Sequence, residues 1–199
     1  MSRTRPKAPP EARKAPQQAR AIATCAAIVE ASARILETDG PAGLTTNGIA
    51  ERAGVSIGTL YQYYPDKQAI VVALIRRERA ALLREIAFIQ ADDPQALETL
   101  IALSIRHQFQ RPKLASALEV LELTLCLEGE ASAMARQIAD LSSRLLRSRF
   151  GDVAQEDLLT AVLIGRALIN AAGEGILPEE GLADRVRRAV AAYLGERRT

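Results

Sequence analysis

The sequence predicts an all-α protein of about nine helices, and three observations carry that reading. Apolar residues recur at helical spacing nearly throughout the 199 residues, and strict alternation of apolar and polar positions is absent. Glycines and prolines gather in short clusters that punctuate the periodic segments. No apolar run reaches the roughly 18 residues that would cross a bilayer, so the apolar faces must be covered by other helices.

The chain opens on a basic arm. Residues 1–20 hold Arg3, Arg5, Lys7, Arg13, Lys14 and Arg20 against Glu11, a local balance of +5, whereas the whole chain carries only +2. Pro6, Pro9, Pro10 and Pro16 exclude a helix, so residues 1–19 are expected to be disordered. Such an arm follows a phosphate backbone or enters a minor groove, or it serves only as a solubilising tail.

The first helix is expected over about 20–38, with Ile22, Cys25, Ala26, Val29, Ala33 and Leu36 on one face. Asp39-Gly40-Pro41 should end it, since the glycine suits a C-cap and the proline cannot continue. Thr45 caps a second, short helix over about 46–53 with Ile49, Ala50 and Ala53 as its apolar stripe. Gly54-Val55-Ser56 forms a tight turn into a third helix over about 57–64. Pro65 stops that helix, and Asp66 caps a longer fourth one reaching to about 89. Further helices follow over about 95–109, 113–127, 130–150, 155–172 and 179–195, separated by Asp92-Asp93-Pro94, Arg111-Pro112, Gly129, Gly151-Asp152 and the stretch from Gly173 to Pro178.

Composition excludes several chemistries. His107 is the sole histidine, so neither a histidine metal cluster nor a Ser-His triad can be assembled, and no phosphate-binding glycine loop is present. Cys25 and Cys126 lie about a hundred residues apart without metal spacing, which fits small buried hydrophobes better than a redox pair. No enzyme, metal or cofactor is expected. The N-terminus lacks the apolar core of a secretory signal, so the default location is cytoplasmic.

Two short helices joined by a glycine turn and followed by a stop make a helix-turn-helix unit. Gly54 supplies the backbone freedom, Val55 plugs the angle, and Ile49 and Leu60 should face inward to lock the crossing. Ile57, Gly58, Thr59, Gln62 and Tyr63 are then left wholly or partly free to meet a major groove. The third helix, about 12 Å long at 1.5 Å per residue, fits one groove crossing. Three of the four tyrosines lie here. Tyr64 reads as packing that wedges the small domain together; Tyr61 and Tyr63 read either as packing or as surface groups.

Leu44-Thr45-Thr46, the run from Ile49 to Ser56 and the run from Gly58 to Lys67 together resemble the DNA-binding signature of TetR-family transcriptional regulators. The resemblance covers about residues 20–70. It implies a helix-turn-helix domain over 20–66 and a helical ligand-binding and dimerisation domain over 67–199. It further implies a homodimeric repressor that releases a palindromic operator in double-stranded DNA when a small apolar or amphipathic effector binds. An activator, or a regulator controlled by a partner protein, is the alternative within the same class; a helical interaction module lies outside it. By position, the family pattern implies Thr46, Thr59, Tyr61, Tyr63 and Lys67 as phosphate contacts, and Asn47, Ile57, Gly58 and Gln62 near base edges.

Two positions depart from that pattern. Gly48 stands where the family often has an acidic residue completing a capping box, a loss of about 1 kcal/mol for the second helix. Tyr63 stands where histidine is common, and a phenol can equally donate to phosphate.

In the C-terminal half, His107 is either structural or a polar handle among apolar walls. Leu103, Leu118, Leu121, Glu122 and Leu125 complete that candidate ligand set, with Cys126 a further wall. The segment from Leu158 to Ala172 is apolar nearly all round, with Arg166 its sole charge, so it must be covered on most sides. Small residues at Ala161, Gly165 and Ala172 permit a close helix approach. Leu158, Ala161, Val162, Gly165 and Ile169, with Val186, Val190 and Tyr193 of the last helix, are the expected dimerisation set. Burial within one subunit is the competing reading for the same residues.

Overall fold

The structure, a computed structural model, describes residues 19–124 and 130–195, with Leu123 and residues 130–135 as backbone only. The basic arm through residue 18, Leu125 and Cys126 therefore lie outside the described residues. Among those described there are nine helices and no strand. They are α1 (Ala19–Gly43), α2 (Thr46–Ala53), α3 (Ile57–Tyr63), α4 (Lys67–Ala87), α5 (Ala96–Gln110), α6 (Pro112–Thr124), α7 (Glu130–Phe150), α8 (Gln155–Gly173) and α9 (Leu182–Gly195).

Local chemistry sets most of these boundaries. The backbone of α1 breaks at Gly40 (φ 68°, ψ −172°), so the uninterrupted helix stops where Asp39-Gly40-Pro41 predicts, and one further turn follows. Thr45 accepts the Gly48 N–H at 3.1 Å and caps α2. Ser56 caps α3 by accepting the Thr59 N–H at 3.0 Å, and Asp66 accepts the Ala69 N–H at 2.8 Å at the head of α4. Several ends differ from the expectation; α4, for one, stops at Ala87 and not at 89. α3 stops at Tyr63 because Tyr64, which precedes Pro65, is extended (φ −126°, ψ 121°), as the proline ring disfavours helical backbone before it. α9 starts at Leu182 instead of residue 179, because the Leu182 N–H bonds the Glu179 carbonyl across a turn.

The chain forms two compact units. One takes the described residues up to Glu78 together with those between Ala117 and Ala133; the other takes Arg79–Ser116 and the chain from Met134 on. The division between the two units thus falls inside α4. Ile70, Val71, Val72, Leu74 and Ile75 are buried in the first half of α4, and the Arg77 guanidinium donates to Glu30 of α1 at 2.9 Å. That ion pair is half-exposed, so at well under about 1 kcal/mol it orients the helix, while burial of the aliphatic side chains supplies most of the energy.

In the first unit, α1 packs on α2 and α2 on α3. Ile28, Ala33, Leu36, Leu44, Ile49 and Leu60 are almost wholly removed from solvent. Burial along α1 starts only at Ile28; Ile22, expected on the inner face, is 55% exposed, and Ala26 is exposed as well. The apolar spacing that placed them inside continues past the point where α1 has a covered face.

The second unit is built on α8 and α9, with α5 packed against both. Its main core joins Leu97, Ile101, Leu146, Leu158, Ile169, Leu182, Val186, Val190 and Leu194. A smaller cluster holds Ile86, Ala96, Leu100 and Leu145. Tyr193 donates its hydroxyl to Asp157 at 3.0 Å, tying the end of α9 to the start of α8.

Gly54 has φ +68° and ψ 31°, a conformation in which a Cβ is strained although nothing lies within 4 Å of it. Gly54→Ala should therefore lower unfolding stability by about 1–2 kcal/mol through backbone strain alone. Gly54→Asn should recover part of the loss, both read from denaturant midpoints at constant slope.

Candidate nucleic-acid interface

The turn between α2 and α3 is closed by the chain's own backbone. The Gly54 N–H bonds the Glu51 carbonyl and the Val55 N–H bonds the Ala50 carbonyl, both at 3.0 Å. This pairing satisfies carbonyls that the end of α2 leaves open and redirects the chain into α3. Ile49 and Leu60 are then both fully buried, which fixes the crossing of the two helices.

With those two side chains inside, the opposite face is outside. Asn47, Gly58 and Gln62 are exposed, as are Ile57 at 39% and Tyr61 at 41%. Thr46, Thr59, Tyr63 and Lys67 are partly exposed. All nine candidate nucleic-acid residues thus lie in one unit, and none is buried. Gln62 and Asn47 offer paired amide donors and acceptors, and Ile57 offers an apolar tip.

The hydroxyls are organised in a way that spacing alone does not reveal. Thr46 Oγ1 lies 3.2 Å from the Tyr61 hydroxyl, joining the start of α2 to the middle of α3. Ser56 Oγ lies 2.8 Å from Thr59 Oγ1, besides capping the helix. The sequence places Ser56 in the turn and does not reveal this pairing. Each pair can still donate one proton outward, since a hydroxyl both donates and accepts.

Tyr64 behaves differently from its two neighbours. It is 4% exposed, and its hydroxyl is near enough to the Cys25 thiol of α1 for each to shift the other's titration. Burial first, then the nearby thiol, push its phenol well above the ordinary range. Burial likewise raises the Cys25 thiol, partly offset by the neighbouring Tyr64 hydroxyl. Cys25 is free and partly exposed, so the expected full burial is only half realised.

The candidate ligand residues do not gather in one unit. Leu118 and Leu121 are buried and Glu122 partly buried in the first; Leu103 and His107 are partly buried in the second. α6 contributes to both units, a division that helical periodicity cannot register.

The expected dimerisation residues are largely accounted for inside one chain. Leu158, Ala161, Gly165, Ile169, Val186 and Val190 are buried in the second unit, with Val162 and Tyr193 packed partly against them. A Cβ on Gly165 would stand 3.5 Å from Val186 and 3.8 Å from Val190, so the small residues of α8 admit α9 of the same chain. Of the two readings of this face, a second copy or burial within one subunit, the described chain shows its own packing there. The outer side of α8 carries Leu163, 60% exposed, with Ala167 exposed one turn on.

Comparison with known proteins agrees with this geometry. The family model for bacterial regulatory proteins of the tetR family matches residues 28–74, the span from the buried part of α1 into α4. An uncharacterized HTH-type transcriptional regulator of Mycobacterium bovis is 31% identical over 176 residues, which cover 84% of this chain and 92% of that protein. Another, from Mycobacterium tuberculosis, is 32% identical over 124 residues, covering 61% of this chain and 60% of its own length. The fatty acid degradation regulator FadR of Bacillus halodurans has the same fold, with a TM-score of 0.69 at 17% identity over 88% of this chain and 96% of that one. A TetR-family regulator from Marinobacter aquaeolei superposes with a TM-score of 0.67 at 20% identity, over 87% and 96% of the two chains. The chain belongs to the TetR family of bacterial regulatory proteins.

Because Tyr64 keeps its proton in the fold, while an unfolded phenol loses it near pH ~10, its contribution to stability is intact below that pH. It should be lost as the pH rises further. An alkaline absorbance titration should show a late phenolate fraction that Tyr64→Phe abolishes.

Proposed function

We propose that the protein is a ligand-responsive transcriptional repressor that binds a palindromic operator in double-stranded DNA as a homodimer. One observation carries the reading: the helix-turn-helix crossing leaves Asn47, Ile57, Gly58, Tyr61 and Gln62 exposed on one small unit while its core is complete. An exposed run of this kind in a packed domain is surplus to folding and fits a groove of polar base edges. Thr46, Thr59, Tyr61, Tyr63 and Lys67 would hold phosphates, and Asn47, Ile57 and Gln62 would read bases. The family membership supports the same assignment.

Charge divides the work. α3 carries no ionised side chain, so attraction must come from Lys67, Arg52 and the basic arm. Release by a small apolar or amphipathic effector requires that the effector prefer a conformation whose two heads no longer match the operator. α4, which runs from the first unit into the second, is the element on which such a preference would act. Activation of transcription by the same DNA contacts is the second reading, separated by the sign of the change in expression when the gene is deleted.

A titration with the DNA flanking the protein's own gene tests the central claim; binding no tighter than to unrelated duplex would sink it. On that duplex, removing residues 1–18 should weaken binding and reduce the slope of log affinity against log salt by several phosphate equivalents. Gln62→Ala should instead relax preference at one base pair.

For the dimer, the outer side of α8 around Leu163 and Ala167 is the surface we assign to the second copy, as the inner side is already filled. Light scattering at micromolar concentration should give twice the chain mass, and Leu163→Arg should shift it toward one. A monomeric wild type would refute the assignment.

A further inference from the structure

Ser143 of α7 carries a hydroxyl that the fold leaves unused. The residue is 2% exposed, and its Oγ, shut off from solvent, makes no hydrogen bond among the described residues. Other helical hydroxyls in the chain bond the carbonyl four residues back. Ser32 donates to Ile28 at 2.9 Å, Ser104 to Leu100 at 2.8 Å and Thr160 to Glu156 at 2.7 Å. The equivalent bond from Ser143 to the Ala139 carbonyl is not made. A buried hydroxyl without a partner is unfavourable, and alanine at 143 would avoid that cost.

Its place on the helix says what surrounds it. Leu146 and Phe150, three and seven residues on, lie in or against the main core of the second unit, with Leu97 and Ile101 of α5 and Leu158 of α8. Ser143 shares that side of α7, so a polar atom faces an apolar interior. Along α5 that interior is unevenly closed. Leu97 and Ile101 are buried, whereas Ile105 and Phe109, which pack on the same core, are only partly covered. We propose that the Ser143 hydroxyl anchors a small amphipathic effector through one neutral oxygen, a carbonyl or a hydroxyl, with the effector's hydrocarbon part against this core toward Ile105 and Phe109. A carboxylate is excluded, because one hydroxyl restores little of the solvation that a buried charge loses. This rests on the ligand-responsive reading above and adds to it the recognising atom and the chemical class of the effector. Of the expected ligand set, Leu103 and His107 lie in the same unit as Ser143.

The test uses the full-length protein and probes of equal chain length: octanol, octanone, octane and octanoate. Without a probe, Ser143→Ala should melt at the wild-type temperature or higher, since no bond is lost. By calorimetry, octanol and octanone should bind the wild type about tenfold more tightly than octane or octanoate. Ser143→Ala should remove that preference and leave the affinity for octane unchanged. A variant that melts several degrees lower, or fails to fold, would overturn the premise, because the hydroxyl then has a partner in the fold, water included. The proposal itself is overturned by a preference that survives in the variant, by octanoate binding as tightly as octanol, or by a wild type that binds none of the probes. Octanol bound through Ser143 without any change in operator affinity would instead defeat the ligand-responsive reading and leave the site standing, a distinguishable result.

Discussion

The closed turn at Gly54 is the constraint on which the rest of the first unit depends. Its two backbone hydrogen bonds and left-handed residue set the angle at which α3 leaves α2. That angle brings Ile49 and Leu60 into the same core, where each contributes about 1.5–3 kcal/mol by burial. With those two side chains committed, helical geometry leaves no choice about the remaining positions. Residues 57, 58, 61 and 62 must face away, and a polar, uncharged surface follows as the complement of an apolar core.

Three kinds of contact then hold the unit with different strengths. Aliphatic burial dominates. The caps at Thr45, Ser56 and Asp66 contribute about 1 kcal/mol each and fix where helices begin. Half-exposed ion pairs such as Arg77 with Glu30 contribute least and mainly set orientation. Tyr64 belongs to the first group, since its ring is buried at the end of α3. An uncharged surface on so firmly held a support fits the selectivity proposed for it, with long-range attraction left to residues elsewhere.

The second unit shows how one pattern serves two purposes. α8 is apolar on nearly every side, and intrachain contacts with α5 and α9 consume the side bearing Leu158, Ala161, Gly165 and Ile169. The opposite side keeps Leu163 in contact with solvent. A helix of this composition therefore has apolar area left after its own chain has folded, and that remainder is the surface proposed above for a second copy.

Much of this was legible in the sequence, for local reasons. The helix boundaries came from caps, glycines and prolines, whose effects reach only a few residues, and the spacing within the helix-turn-helix sufficed to order its inside and outside. Even the miss at Tyr64 followed from a local rule, the effect of Pro65 on its predecessor. What local rules could not decide was which of several apolar faces meets which partner. Ile22 has the spacing of a core residue and is exposed; Gly165 has the size for an intersubunit contact and serves Val186 and Val190 of its own chain. Leu118 and His107 read as one set and fall in different units. Sequence determined the nine-helix order and the polar face of α3, because periodicity and capping are properties of a single segment. Tertiary structure alone decided the use of each remaining apolar face, because burial is a property of two surfaces and the second is never written beside the first.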